Sequence, residues 1–87
     1  MDMSNIKVGD WVVDNVGGYC KVLKLDYYPT GELDSVWGYW SDVAEKEFLF
    51  TPFKNIKFIF KTKKQAKVIA DIVKATYTWE DDDDDYM

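Results

Sequence analysis

The sequence predicts a mostly β protein, in which five short strands curl into a small barrel-like sheet and one C-terminal helix follows. Short runs of alternating apolar and polar residues fill residues 6–61, and glycine and proline turns separate them. From residue 62 the apolar spacing becomes that of a helix. A chain of 87 residues is one domain, which we expect over residues 1–79, with residues 80–87 as a disordered acidic tail.

The first two strands are expected on either side of a turn at Gly17 and Gly18. The β-forming run Trp11–Val13 makes the first strand. In the second strand, Cys20 and Val22 share one face, whereas the apolar residues from Leu23 to Tyr27 lie on the other. A strand that changes its buried face partway is bent or bulged, as happens when a short sheet curls.

Three further strands follow a turn over residues 29–32. The third is SVWGYWS, residues 35–41, in which Gly38 predicts a kink or a close backbone approach. The fourth is KEFLFT, residues 46–51, which stops at Pro52. The fifth is NIKFIFK, residues 55–61, whose alternation should place Ile56, Phe58 and Phe60 on one face.

A helix is predicted from Thr62 to about Tyr77. Thr62 and Gln65 have the spacing of a capping box, in which each side chain satisfies a free backbone N–H. An apolar stripe that includes Ala66 and Ala70 should pack this helix against the sheet.

Three segments of the strand region carry a family resemblance: VGDWVV, GGYCKVLKL and TPFKNIKFI. On these segments, residues 6–60 resemble the SH3-like barrels of KOW, Tudor and CarD-type modules. The resemblance implies an SH3-like barrel that binds RNA polymerase, ribosomal RNA or another protein, and a fold alone does not choose among them. An OB-type barrel is the alternative architecture.

The charge of the chain is divided between body and tail. The net charge is −5, but six of the sixteen acidic residues lie in residues 80–87. The rest of the chain, the body, contains ten acidic residues and eleven lysines and therefore carries a net charge of +1. There is no arginine. Six lysines without an acid among them are expected to form a basic face: Lys54, Lys57, Lys61, Lys63, Lys64 and Lys67.

The sequence contains few residues suited to catalysis or metal binding. The chain has no histidine and a single cysteine, Cys20, so it lacks a Cys–His pair, a Ser–His pair and a zinc ligand set. The body carboxylates fall at turns or strand ends, where a solvated role is expected: Asp10, Asp14, Asp26, Glu32, Asp34, Asp42, Glu45 and Glu47. We therefore predict a protein that is not an enzyme and has no metal or cofactor, with Cys20 as a small buried residue.

The same composition bears on location. One cysteine allows no internal disulfide, and no apolar run is long enough for a targeting or membrane-spanning segment. We expect a cytoplasmic protein with no membrane partner.

The aromatic content predicts a binding surface. Fifteen aromatic residues exceed the needs of one small core, and Tyr39 and Trp40 cannot both point inward. The expected face contains Tyr27, Tyr28, Trp37, Tyr39 and Trp40. Such rings can stack the bases of single-stranded nucleic acid, although the missing arginine and the low body charge count against it.

The terminal segment WEDDDDDYM is the second candidate for binding. It resembles in kind the acidic C-terminal tips of single-stranded-DNA-binding proteins, which dock on basic pockets of replication proteins. The residues expected to dock are Glu80, Asp81, Asp82, Asp83, Asp84, Asp85 and Tyr86. Three alternatives remain: a solubilising tail, a tail that folds back on the lysines of residues 54–67, and a mimic of phosphates.

Together these features predict a non-enzymatic protein-interaction module, such as a phage-type accessory or inhibitor factor. It would dock through its acidic tail and aromatic face on a protein of the nucleic-acid machinery that has a basic groove. The alternative is a single-stranded nucleic-acid-binding barrel whose acidic tail recruits partner proteins.

Overall fold

The computed structural model describes residues 5–84, and from residue 77 onward only the backbone. These residues form a mostly β fold with a C-terminal helix, as predicted. In chain order the elements are β1 (Trp11–Asp14), β2 (Tyr19–Lys21), β3 (Lys24–Tyr27), β4 (Leu33–Tyr39), β5 (Phe48–Pro52), a 3-10 turn (Phe53–Asn55), β6 (Ile56–Phe60) and α1 (Lys63–Asp84).

The strands pair into two antiparallel three-stranded sheets. Sheet A has the order β2-β1-β6, and sheet B has the order β3-β4-β5. The predicted second strand is divided between them, because the chain leaves sheet A after Lys21 and enters sheet B at Lys24. This division is the bend that the change of buried face predicts. The pairings among residues 5–84 make two open sheets, and a closed barrel is not among them.

Three layers stack in the order α1, sheet A, sheet B. Val12 and Val13 are neighbours on β1 and point to opposite faces. Val12 packs in the core between the sheets, whereas Val13 packs against Ala66 and Ala70 of α1. The two alanines let the helix lie close to β1. Sheet A is therefore covered on both faces.

Two glycines allow the layers to approach each other. A Cβ on Gly38 would lie 2.5 Å from the carbonyl oxygen of Lys21 and 2.7 Å from the Sγ of Cys20. The close approach predicted at Gly38 is thus confirmed. Gly17, in the β1–β2 turn, has a φ of 93°, and a Cβ there would lie 2.5 Å from the Cβ of Lys74. Each site requires glycine because backbone or helix fills the adjacent space.

The helix begins with the predicted cap. The Gln65 N–H donates to the Thr62 Oγ1 at 3.3 Å, and the Thr62 hydroxyl donates to the Gln65 Oε1 at 3.2 Å. The Gln65 side chain therefore bonds the hydroxyl, and not the Thr62 backbone N–H of a full capping box.

The helix ends later than predicted. It continues to Asp84, whereas the predicted end lay near Tyr77 and residues 80–87 were expected to be disordered. Residues 63–84 contain no glycine or proline to stop a helix. Residues 85–87 lie outside the described part of the chain. Within residues 5–84, no helix combines the length and the apolar character needed to cross a bilayer.

Candidate functional site

The outer face of sheet B carries a cluster of exposed aromatic rings. Alternation along β4 and β5 turns Val36 and Leu49 towards the core and the intervening rings towards solvent. We call the four rings the aromatic face: Trp37, Tyr39, Phe48 and Phe50. The exposed fractions of Tyr39, Phe48 and Phe50 are 44%, 41% and 53%.

The four rings form one contiguous surface. The register of β4 and β5 places Trp37 opposite Phe50 and Tyr39 opposite Phe48. The ring centroid of Trp37 lies 5.2 Å from those of both Phe48 and Phe50, and those of Tyr39 and Phe48 are 5.7 Å apart. These separations fall in the range in which aromatic pairs attract each other.

The central ring of the aromatic face is held in place. The indole Nε1 of Trp37 donates to the Oδ2 of Asp26 at 2.6 Å. The Nζ of Lys24 lies 3.6 Å from the Oδ1 of Asp26 and 5.1 Å from the centroid of Trp37. Since these contacts fix the indole before any ligand arrives, binding loses less side-chain entropy.

Two of the five residues predicted for the aromatic surface, Trp37 and Tyr39, belong to the face. Trp40 does not, because it is only 6% exposed and its Nε1 donates to the carbonyl oxygen of Leu49 at 3.2 Å. Once Tyr39 points outward, alternation sends Trp40 into the core.

Tyr27 and Tyr28 are exposed near the turn between β3 and β4. A hydrogen bond to the Asp34 carboxylate, and the charge of that carboxylate, raise the pKa of Tyr28. Phe48 and Phe50 were missed at sequence level. The signal for them was the alternation around Leu49, which is the inward residue of β5.

A second feature is an open groove of about 390 Å³ where β2, the end of β4 and the start of α1 meet. We call it the lysine groove. Three aromatic rings and three lysines line it, and no carboxylate is among its lining residues, which are Trp11, Tyr19, Lys21, Leu23, Tyr39, Ser41, Lys46 and Lys63. Tyr39 belongs to both the lysine groove and the aromatic face.

Backbone contacts fix the walls of the lysine groove. The Ser41 N–H donates to the Tyr19 carbonyl oxygen at 2.9 Å, and the Tyr19 N–H donates to the Ser41 Oγ at 3.0 Å. The ring centroids of Trp11 and Tyr19 are 6.3 Å apart, with 42° between their planes. The rings therefore sit on paired backbone rather than on a free loop.

The six lysines predicted as a basic face do not share one surface. Lys61 pairs with the buried Asp10, with 3.0 Å between Nζ and Oδ1. Lys54 lies at the other end of β6, a strand about 16 Å long. Of the six, Lys63 lines the lysine groove, together with lysines from two other segments of the chain.

Two of the carboxylates expected in solvent, Asp10 and Asp14, are buried. The Oδ1 of Asp14 accepts the N–H groups of Val16 at 3.0 Å and Gly18 at 2.8 Å and so closes the β1–β2 turn. Burial raises the pKa of Asp14, backbone hydrogen bonds oppose this rise, and the charge of Asp42 adds to it. Asp10 accepts the Lys7 N–H at 3.0 Å beside its pair with Lys61.

Cys20 is buried, as predicted. Burial, with the charges of Asp14 and Asp42, raises the pKa of its thiol to about 12, so the thiol stays protonated at neutral pH. Among the described side chains, those of residues 5–76, no group of three or more potential metal-ligating residues is placed to hold an ion.

The predicted docking residues of the tail fall partly outside the description. Glu80–Asp84 continue the backbone of α1, and their side chains, together with Asp85 and Tyr86, lie outside the described residues. The helix separates Asp81 from Lys64 by about 25 Å. Residues 80–84 therefore do not fold back on the lysines at the start of the helix.

The chain matches no family model, no curated protein and no solved structure.

Proposed function

We propose that the protein is a non-enzymatic interaction module that binds a partner protein through its aromatic face. The observation that supports this proposal is the contiguous cluster of four rings on sheet B, three of them exposed and Trp37 half-buried. Monomeric proteins rarely leave such apolar patches exposed, and aromatic residues are enriched at protein interfaces. Phe48 and Phe50 also lack a polar atom that water could solvate.

The charges around the aromatic face favour protein over nucleic acid at this surface. Lys24, the lysine that lies against Trp37, is paired with Asp26. The positive charge at the centre of the aromatic face is therefore balanced by a carboxylate. Binding to a phosphate backbone would gain little from counterion release at such a surface.

The acidic segment supports a partner with a basic surface. Residues 80–87 carry six carboxylate side chains, which attract a protein with a basic groove of the kind found in the nucleic-acid machinery. The backbone of α1, which continues to Asp84, and the aromatic face lie on opposite sides of the two sheets. The tail therefore steers the encounter, and the rings anchor the complex.

We further propose that the protein is a phage-type accessory or inhibitor factor that acts in the cytoplasm, and that residues 6–60 are a variant of the SH3-like architecture.

Site-specific photo-crosslinking tests the proposal. A photo-reactive residue replaces Phe50 in one variant and Ile72 of α1 in a matched control, since these side chains are 53% and 59% exposed. In nuclease-treated extract, we expect the probe at position 50 to crosslink a protein that the probe at position 72 does not. Equal crosslinking from both positions, or none from position 50, would contradict the proposal.

The purified partner then allows a quantitative test. Phe48→Ser with Phe50→Ser should weaken binding by about 30-fold or more, as expected for lost aromatic hot spots. Val68→Ser with Ile72→Ser, an exposed apolar pair on α1, should leave the affinity unchanged. Unchanged binding by the phenylalanine variant would exclude the aromatic face as the site.

The tail is tested with the same partner. Replacing Asp81 to Asp85 by Asn should mainly slow association and reduce its salt dependence, because exposed charges act through steering. Tyr86→Ala should mainly speed dissociation if the ring is a buried anchor. If neither change alters binding kinetics, the tail serves solubility alone.

A further inference from the structure

We propose that the lysine groove is a second binding site, which takes one nucleotide unit of single-stranded nucleic acid. The groove lies at the seam between the two sheets and α1, whereas the protein partner is assigned to the outer face of sheet B. The two sites meet at Tyr39, which belongs to both.

The electrostatics of the groove suit phosphate. Lys21 on β2, Lys46 in the loop before β5 and Lys63 at the start of α1 approach it from three segments, and no carboxylate lines it. The body as a whole carries only +1, so the groove concentrates positive charge. The N-terminal end of α1 adds its own positive potential at Lys63, since no acidic residue occupies the first turn.

The rings of the groove suit a base. Trp11, Tyr19 and Tyr39 contribute flat aromatic surfaces on which any base can stack. A volume of about 390 Å³ lies within the range of small-ligand pockets, about 300–1,000 Å³, and has room for one nucleotide but not for a duplex. Lysines bind phosphate as point charges and lack the planar fork of arginine, so binding is independent of sequence.

A single strand fits the groove better than a free nucleotide does. The groove is open, and from Tyr39 the aromatic surface continues to Phe48, with 5.7 Å between the ring centroids. A neighbouring base of the same strand therefore meets a further flat ring.

A single strand also fits better than an acidic peptide. Carboxylates would satisfy the three lysines but leave three aromatic rings without a planar partner. The acidic segment of the same chain is carried away from Lys63 by α1, so that only a second copy could deliver it.

Fluorescence anisotropy of the full chain with a labelled oligothymidine of about 12 nucleotides tests this site. Lys21→Glu with Lys63→Glu should weaken binding by about tenfold or more. The matched control, Lys54→Glu with Lys67→Glu, makes the same change in net charge outside the groove and should weaken binding by about threefold or less. Thermal unfolding of each variant checks that it is folded.

Four results would overturn the assignment. No binding of the oligothymidine at low salt would exclude the site. An equal loss of affinity in the two double-lysine variants would show that binding depends on overall charge and not on the groove. Thymidine monophosphate that binds as tightly as the strand would make a free nucleotide the ligand. A peptide of residues 79–87 that binds more tightly than the strand and displaces it would make the groove a site for acidic peptide.

One further variant separates this inference from the proposed function. Phe50 is part of the aromatic face but does not line the groove. Phe50→Ser should therefore reduce binding of the protein partner and leave the affinity for oligothymidine within about threefold. Loss of strand binding in this variant would show that the two surfaces are one site.

Discussion

The edge strands β5 and β6 each carry two phenylalanines with one residue between them, but the two pairs differ in burial. On β6, in sheet A, Phe58 and Phe60 lie two residues apart and are partly buried, packed against the cluster that α1 forms with β1. On β5, in sheet B, Phe48 and Phe50 have the same spacing and face solvent. The chain has one helix within residues 5–84 and covers one outer face with it.

The difference in burial indicates which phenylalanines stabilise the fold and which are free to contact a partner. The rings on β6 complete a core cluster with Val13, Ala66 and Ala70, as folding requires. The rings on β5 complete no such cluster, and this is the observation behind the proposed partner site. Substitutions on the two sides of sheet B should therefore have unequal effects on stability.

The largest effect is expected from two adjacent residues that point in opposite directions. Trp40→Ala should lower the free energy of unfolding by about 3–5 kcal/mol, because it leaves a cavity in the core and removes the hydrogen bond to Leu49. Tyr39→Ala should lower it by about 1 kcal/mol or less. Urea unfolding measures both. Similar losses would mean that the aromatic face is structural.

The next largest loss of stability is expected at Gly38, where the two sheets approach each other. Gly38→Ala should cost about 3 kcal/mol, since its Cβ would meet the Lys21 carbonyl oxygen at 2.5 Å and this backbone atom cannot move aside. Gly31→Ala is the control. A Cβ at Gly31 meets nothing within 4 Å, so only the cost of a φ of 94° remains, about 1–2 kcal/mol. Equal losses would place the sheets further apart than described.

Much of this arrangement could be predicted from local patterns. The alternation around Gly38 predicts that Tyr39 and Trp40 point in opposite directions, and the change of face after Val22 predicts the bend between the sheets. Both depend on the two-residue period of a strand, which the sequence displays directly.

Other features depend on contacts between distant segments. A register shift between Val13 and Asp14 places Ile56 in the core between the sheets, although alternation assigned it to the face of Phe58 and Phe60. The lysine groove was not predicted, because Lys21, Lys46 and Lys63 are brought together by the topology and not by a run in the sequence. Periodicity carries no information on such convergence.

The pH dependence of stability tests the burial of the Asp14 carboxylate in sheet A. Burial raises the pKa of Asp14 in the folded state above the unfolded value of 3.8. The folded state therefore binds the proton more tightly, and the contribution of Asp14 to stability grows as the pH falls from neutral through the raised pKa. This contribution levels off below the unfolded pKa. Asp14→Asn should lack this contribution, and its Oδ1 can still accept both N–H bonds. We expect it to stay within about 1 kcal/mol of the parent at neutral pH.

Thermal unfolding of parent and Asp14→Asn across the acidic range measures the difference. The parent should gain stability relative to the variant as the pH falls. A parallel pair of curves, or a relative loss by the parent, would contradict the burial of Asp14.

The smallest effect on the unfolding midpoint is expected from the part of α1 that extends past sheet A. Lys74 is the helical residue that lies against the β1–β2 turn, and the helix continues from there to Asp84. Acidic residues at a helix C-terminus oppose the macrodipole. Replacing Asp81 to Asp84 by Lys should stabilise this end by about 0.3–1 kcal/mol per residue at low salt.

Circular dichroism should show more helix for the lysine variant and an intermediate gain for the matched Asn variant. The unfolding midpoint should change little, because the sheets do not depend on this segment. An unchanged helical signal in both variants would contradict the expected influence of the dipole.

The inverted charge of α1 also gives the whole molecule a direction. Lysines at its start and carboxylates at its end add to the dipole of the backbone, along a helix about 33 Å long. In the field of a polyanion such a molecule turns its groove forward, and in the field of a basic protein it turns the opposite end forward. The two proposed ligands would therefore approach from opposite ends of α1, the strand towards Lys63 and the basic protein towards Asp84, although their proposed sites adjoin at Tyr39.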